Sequence, residues 1–417
     1  MNADSCQSPS MQTLSYDHHS ELNTEHFPSQ VKLILRMLRQ LETGALRMTF
    51  PDGQSALFGD HRHAQPVGIT LKNWKVCSAV LKSGDIGFAE TFIDNDWHTD
   101  NLPGLIELFV HNREAVEAAV YGTWWGNLFY RVKHLLQRNS KSGSRKNIHA
   151  HYDIGNNFYE LWLDPSMTYS SALFGAATDT SLEQAQNAKY RRVLRQLAVA
   201  PGARILEIGC GWGGFAETAA RAGAAQVTGL TLSTEQLAFA QNRLEAAGLG
   251  HRADLKLRDY RDVNEQFDAI ASIEMFEAVG EQYWPSYFEC VARNLKAGGR
   301  ACIQSIVIAD PLFQRYRKGT DFIQQYIFPG GMLPSPSAFR EQAQRQGLQV
   351  IDHFSFGLDY ARTLQIWRDS FKAKIAQIKA LQFDQRFLRT WEFYLAYCEA
   401  GFRAGSIDVV QFTLQKG

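Results

Sequence analysis

The stretch Ile205-Leu206-Glu207-Ile208-Gly209-Cys210-Gly211-Trp212-Gly213-Gly214 decides how the rest of the chain is read. A short apolar strand carrying one acid runs into a glycine-crowded turn, and a helix follows from near Phe215. Gly209, Gly211 and Gly213 let the backbone bend sharply and approach a ligand where a Cβ would collide. This is the nucleotide-binding crossing of a doubly wound sheet, at the carboxyl end of its first strand.

The surroundings choose the ligand. A nicotinamide site ends its second strand with Asp or Glu, about 20 residues past the glycines, to hold ribose hydroxyls. The second strand here reads Gln226-Val227-Thr228-Gly229-Leu230-Thr231-Leu232 and ends without an acid. No Gly-Lys-Ser/Thr follows the glycines, so phosphates have no evident lysine partner. Ser233-Thr234-Glu235-Gln236 then opens a helix in the pattern of a capping box. An adenosine ligand without phosphates fits better, with a carboxylate nearby for a cationic group. S-adenosylmethionine is such a ligand.

The chain has 417 residues, for which two domains are the natural expectation. Lys+Arg and Asp+Glu both number 43, so no global field draws it to nucleic acid. Its six cysteines include no CxxC pair, which fits reduced thiols in a cytoplasmic protein and neither a disulfide frame nor a metal site. The polar first residues carry no secretory signal, and no apolar run is long enough to span a bilayer.

The pattern divides the chain into a loose leader over 1–27, a smaller α+β amino-terminal domain over 28–137, a basic linker over 138–147 and a second domain over 148–417. In the first domain Val31–Leu41 reads as a helix, and Gly84–Glu90 as a turn leading into another. A long helical stretch from about Leu105 to Leu136 carries Trp124, Trp125, Phe129 and Tyr130 beside clustered cations. Two readings stay open for it: a seat on an anionic bilayer surface, or a packed interdomain helix with a solvated linker.

From His149 onward strands alternate with helices. The strands are expected at Arg204–Ile208, Gln226–Leu230, Asp254–Leu257, Phe267–Ser272, Arg300–Val307, Leu348–His353 and Val409–Leu414. Thr234–Ala247 and Tyr283–Leu295 read as helices, the latter closed by a C-cap at Lys296-Ala297-Gly298-Gly299. Such alternation implies an α/β, doubly wound, mostly parallel seven-stranded sheet covered on both faces.

With these motifs placed, the chain resembles the cyclopropane-fatty-acyl-phospholipid synthase family, which includes the mycolic acid cyclopropane synthases. The resemblance rests on His151–Asn156, Met167–Ala172, Leu206–Gly214, Thr231–Gln236, Phe276–Gly280, Tyr326–Gly331 and Asp359–Leu364, and Gly84–Trp97 resembles the amino-terminal domain of bacterial members. It implies a class I methyltransferase fold, and methyl transfer from S-adenosylmethionine to the cis double bond of an unsaturated phospholipid acyl chain. The expected product is a cyclopropane, formed through a carbocation deprotonated by bound bicarbonate. The expected setting is the inner face of the membrane, bound peripherally, with assembly as a homodimer left open.

By the same resemblance Tyr169, Ser170, Gly209, Gly211, Thr231, Leu232 and Gln236 line the S-adenosylmethionine site, and Glu207 meets the methionine ammonium. The bicarbonate cradle falls on Ser171, Glu277, Gln304, Ile306 and Tyr360. Here the chain departs from the family pattern, with Ser171 where members have Cys and Gln304 where they have His. Gln304 can donate through its amide but cannot carry a positive charge. That weakens the hold on an anion and opens a second outcome, a methyl-branched chain that does not cyclise.

Glu274 and Glu277 are read as an (i, i+3) pair, on one helical face if that turn is helical, with a catalytic role for Glu277 and a structural one for Glu274. Cys398 is read as core rather than nucleophile, and His149 and His151 as packing or linker residues. The aromatic-rich connection Val307–Gly347 is read as a lid and channel for an acyl chain, with Arg315, Arg317 and Lys318 read as exposed helix charges in preference to lipid-headgroup contacts. Two other classes are weighed against this one: a methyltransferase for a soluble small molecule, and a non-enzymatic lipid-binding protein.

Overall fold

The structure is a computed structural model that describes residues 22–60, 64–115, 154–175, 179–223 and 225–417. The linker 138–147, the Trp124–Tyr130 aromatics, His149 and His151 lie outside these residues.

The amino-terminal unit holds α1 (Ser29–Leu38), β1 (Ala45–Thr49), β2 (Ser55–Gly59), β3 (Val67–Leu71), α2 (Lys75–Ile93), β4 (Trp97–His98) and α3 (Leu102–His111). Its sheet has the order β2-β1-β3-β4. Packing begins before α1, since Phe27 is buried and its ring lies 4.6 Å from that of Trp74. The expected turn at Gly84 is a kink inside α2, where Gly84 takes φ 58° and ψ −131°. These dihedrals suit only glycine, and they redirect the helix from Asp85 onward. The expected long helix is interrupted at Asn112, whose side chain accepts from the backbone N–H groups of Glu42 and Thr43. Its continuation past residue 115 lies outside the described residues.

In the second unit, α4 (Leu182–Leu197) leads into β5 (Ala203–Ile208), α5 (Gly214–Arg221), β6 (Ala225–Thr231), α6 (Thr234–Ala246), β7 (Ala253–Leu257), β8 (Phe267–Ile273), α7 (Trp284–Asn294) and β9 (Leu295–Ile308). Then come α8 (Pro336–Arg345), β10 (Leu348–Ser355), α9 (Gly357–Ala373), α10 (Gln385–Arg403) and β11 (Ile407–Lys416). The seven strands pair in the order β10-β11-β9-β8-β5-β6-β7. All neighbours are parallel except β11, antiparallel to both β9 and β10. All seven expected strands are present.

One expectation is corrected. Leu295 already has extended dihedrals, φ −91° and ψ 129°, so α7 stops before the glycines and they do not cap it. They open β9 instead, where its pairing with β8 jumps from Phe267↔Leu295 to Ala269↔Arg300. An added Cβ on Gly299 would lie 2.8 Å from the Asp268 carbonyl oxygen, so the pattern served a close strand approach.

Helix α10 joins the two units. Phe393 packs on Phe92 at 5.6 Å between ring centroids, and the Arg389 guanidinium lies 4.0 Å above the Phe92 ring while Nε donates to Phe92 O. One apolar cluster runs through this contact from Phe27 to Val409. Among the described residues no helix is long and apolar enough to cross a membrane.

Candidate active site

Strand order reverses at β5, which pairs with β6 on one side and β8 on the other. Ligands of such sheets bind at the carboxyl edge of this point. Here Gly209, Gly211 and Gly213 all take positive φ, at 86°, 49° and 83°. A Cβ on Gly209 would sit 2.9 Å from Met275, whereas one on Gly211 would meet nothing within 4 Å. Gly211 therefore faces open space, the place where a ligand approaches the backbone.

That space is a cavity of about 560 Å3, within the range of small-molecule sites. Tyr169, Ser170, Glu207, Gly209, Gly211, Thr231, Leu232 and Gln236 all line it. Ser233 caps α6 by accepting from Gln236 N, but only half of the expected capping box forms. The Gln236 side chain turns to Thr231 instead, with Thr231 Oγ1 donating to Gln236 Oε1 at 3.1 Å. Tyr169 OH and Tyr394 OH are 2.7 Å apart, tying this edge to α10.

Glu207, 2 % exposed at the end of β5, has a buried Oε2 with no hydrogen-bond partner. Burial pushes its carboxyl up to about 8. Beside it lies Lys189 of α4, fully buried, whose Nζ donates to Ser170 Oγ at 2.5 Å and whose ammonium is pulled down by burial. An orphaned buried carboxylate oxygen at a glycine turn fits the ammonium of S-adenosylmethionine. The residues present fit that cofactor.

Glu274, Glu277, Ile306 and Tyr360 line the same cavity further along. Glu277 Oε1 accepts from Ile306 N, while Oε2 is buried without a partner. Burial, reinforced by the neighbouring Glu274, pushes Glu277 up to about 8. The lid wraps over it: Met332 N donates to Glu277 O at 2.9 Å, and a Cβ on Gly331 would come within 3.2 Å of that oxygen.

The largest departure from the sequence reading concerns Glu274. It does not share a helical face with Glu277, because it precedes the one-turn helix Phe276–Ala278 and takes φ 50°. Its carboxylate reaches into the cradle itself. Oε1 accepts from Ser171 N at 2.8 Å and Gln304 Nε2 at 2.7 Å, and Oε2 accepts from Tyr360 OH at 2.6 Å. The donors that the resemblance assigned to bicarbonate thus converge on a carboxyl group supplied by the chain, whose proton affinity burial raises. With these donors taken, the residues present do not fit bicarbonate in this arrangement.

Further residues hold Glu274 in place. Gln304 Oε1 accepts from Gln411 Nε2 at 2.9 Å, and Gln411 Oε1 accepts from Arg192 at 2.6 Å. Sequence reasoning missed Lys189, Gln411 and Arg192. A signal existed for Lys189, which lies on the buried stripe of α4 with Ala185, Gln186, Tyr190 and Val193, where a lysine is out of place. None existed for the others, whose roles depend on β11 lying beside β9.

Cys398 lines the cavity, and burial pushes its thiol well above the usual range, which argues against a thiolate nucleophile. Arg317 pairs with Glu281 at 2.5 Å, and Arg315 lines the cavity.

A glycine turn at the switch point, a buried acid with one unpartnered oxygen at the end of β5 and a seven-stranded sheet with antiparallel β11 define a class I methyltransferase. The profile of the family described as mycolic acid cyclopropane synthetase matches residues 139–412, and the chain belongs to that family. It is 37% identical to the tuberculostearic acid methyltransferase UfaA1 of Mycobacterium tuberculosis, over 91% of this chain and 90% of that protein. It is 35% identical to the cyclopropane-fatty-acyl-phospholipid synthase of Escherichia coli, over 84% and 88%. The structure of the mycolic acid cyclopropane synthase CmaA1 complexed with SAH and CTAB covers 65% of this chain and 98% of its own at 35% identity, with a TM-score of 0.61. The protein is an S-adenosylmethionine-dependent methyltransferase.

Proposed function

We propose that the protein methylates the cis double bond of an unsaturated phospholipid acyl chain, working peripherally at a membrane surface. The observation that carries this reading is that one cavity is lined by Gly211 and Glu207, by Glu274 and Glu277, and by the lid residues Ile327 and Phe328. Bound cofactor supplies an electrophilic methyl on a sulfonium, and the residues do the rest.

Glu207 holds the cofactor's ammonium, and the glycine turn sets its depth. The apolar walls exclude water and align an alkene, a weak nucleophile that depends on orientation. The alkene π electrons form the new C–C bond while the sulfur keeps the electrons of the bond it loses. The other alkene carbon is then cationic, and the charge is discharged by loss of a proton from the transferred methyl or from a chain carbon beside the cationic centre. Loss from the transferred methyl closes a cyclopropane, and loss from the chain gives a methyl-branched alkene. Glu274 is the acceptor that the geometry supports, since it lines the cavity, is fixed by Ser171, Gln304 and Tyr360, and has its proton affinity raised by burial.

The seating of Glu274 favours the branched product. The small base expected for ring closure has no place among Ser171, Gln304 and Tyr360 when their donors are taken. One incubation tests both points: the full chain with methyl-labelled S-adenosylmethionine and vesicles of a cis-unsaturated phosphatidylglycerol, followed by proton NMR of the lipid. Vinyl and branch-methyl signals are expected. Upfield cyclopropane signals would overturn the branched reading, and label absent from the lipid would overturn the function.

A further inference from the structure

We propose that the core of the amino-terminal unit is part of the substrate site and receives the methyl-terminal end of the acyl chain. The inference rests on the functional reading above and names where that substrate goes.

The cavity does not end at the lid. It continues past Phe393 and Tyr397 of α10 into the amino-terminal unit, where Leu38 of α1, Met48 of β1, Ile69 of β3, Val80 of α2, and Ile106 and Phe109 of α3 form its wall. Leu38, Met48, Ile69 and Ile106 are the side chains that would otherwise close this unit's own core, each less than a tenth exposed. A small domain leaving space at its centre forgoes packing that would stabilise it, and an apolar ligand filling that space restores the contacts.

The chemistry of the wall selects the occupant. The charged residues that this unit contributes are Asp85 and Arg113. Asp85 is engaged, accepting from Tyr397 OH at 2.8 Å and from Phe322 N at 3.2 Å, and Arg113 lies beyond the end of α3. A phosphate headgroup drawn between Leu38, Met48 and Ile69 would lose its hydration without compensation. The methyl-terminal half of an acyl chain carries no polar atom and incurs no such cost. With that half in the amino-terminal core and the alkene beside Glu274, the number of carbons beyond the double bond becomes a quantity that the enzyme measures.

The same contacts connect occupancy to the catalytic end. Asp85 binds the lid at Phe322, Tyr326 OH donates to Glu90 of α2, and the lid continues to Met332, which bonds Glu277 O. A chain seated in the amino-terminal unit therefore bears on the segment that covers Glu277.

Two measurements on the full chain test the proposal. In the first, wild-type protein is incubated with vesicles of a monounsaturated phosphatidylglycerol bearing a diazirine at the last acyl carbon, irradiated and mapped by peptide mass spectrometry. Adducts are expected within residues 34–110; adducts confined to residues 306–402 would overturn the proposal. In the second, Val80→Phe and Val80→Ala are assayed on phospholipids that differ only in the number of carbons beyond the double bond. Val80→Phe is expected to lower kcat/KM for the longest chains about tenfold relative to the shortest, and Val80→Ala to shift the preference toward longer chains. Equal loss for all lengths, with cofactor affinity intact by calorimetry, would refute the ruler. Wild-type protein that labels the lipid while its adducts avoid the amino-terminal unit removes this inference alone, whereas lipid left without label removes the functional reading with it.

Discussion

The two ends of the cavity are built in opposite ways. At the cofactor end, Glu207, Gly209 and Gly211 lie within five consecutive residues, and Thr231 and Gln236 within six. At the lipid end, Met48 and Asp85 of the amino-terminal unit lie more than 200 residues before Phe322 of the lid and Tyr397 of α10, and Asp85 meets both through hydrogen bonds. The first end is a local backbone device, and the second is a product of tertiary packing. A substitution at the cofactor end should thus act on binding as a whole, whereas one at the lipid end should act by degrees and by substrate.

The largest effect is expected from Gly211→Asp. Its Cβ would meet nothing in the protein, so the side chain would enter the ligand's space. A carboxylate there also faces Glu207 across the site. Cofactor affinity by calorimetry is expected to fall beyond detection while the protein stays folded by circular dichroism, and retained affinity would dissolve the assignment of the turn.

Next is Glu274→Gln, which keeps the shape but removes the charge that gathers Ser171, Gln304 and Tyr360. Turnover is expected to drop by about 10²–10⁴-fold, the range of a lost general base, with cofactor affinity nearly unchanged. Glu274→Gly sharpens the point. Glycine accepts φ 50° without strain and frees all three donors, so added bicarbonate should raise this variant's turnover and move its product toward the ring. A bicarbonate response in the wild type and none in the variant would reverse the account of the cradle.

The contrast between the ends also explains what the sequence could tell. The glycine turn, all seven strands and the acid of β5 were legible because each is encoded by neighbours: apolar runs of strand length, glycines at tight φ, Ser233 ahead of its helix. Glu274 was not. Three residues before Glu277 it reads as part of a helical pair, and only the left-handed backbone at Met275's neighbour turns it into the cradle. The glycines at 298 and 299 misled for the related reason that glycine marks both a helix end and a close strand approach, and sequence alone does not separate the two. The continuation of the acyl passage into the amino-terminal unit had no local signature, since its wall residues look like any small domain's core.

Protonation supplies a test at the cofactor end of intermediate size. Burial pushes the Glu207 carboxyl up to about 8 against the opposing charge of Lys189, so a protonated fraction is expected in the free enzyme at pH 7. A bound ammonium favours the carboxylate and lowers its pKa. Cofactor binding at pH 7 should then release a proton, about one per site at most, and the release should fade as pH rises past 8 because the acid is already ionised. Calorimetry in buffers of different ionisation enthalpy measures this directly. Glu207→Gln should abolish the release and weaken binding, and an unchanged release in that variant would assign the proton to another group, with Glu277 next in line.

The smallest effect belongs to the clasp between the ends. Tyr397 OH donates to Asp85, and Asp85 also accepts from the lid at Phe322. Tyr397→Phe removes one hydrogen bond of this set, worth about 0.5–1.5 kcal/mol net, while leaving the ring packed on Phe393. It also leaves Asp85 with one donor fewer in a buried place, where its acid is already pushed up to about 6. The lid should close less firmly, lowering kcat/KM on vesicle lipid by about 2–10-fold, the rate equivalent of that energy. Because the clasp touches no part of the glycine turn, cofactor affinity should stay within error. A loss shared equally by cofactor binding and lipid turnover would mean that the two ends are not independent, and the contrast drawn between them would fail.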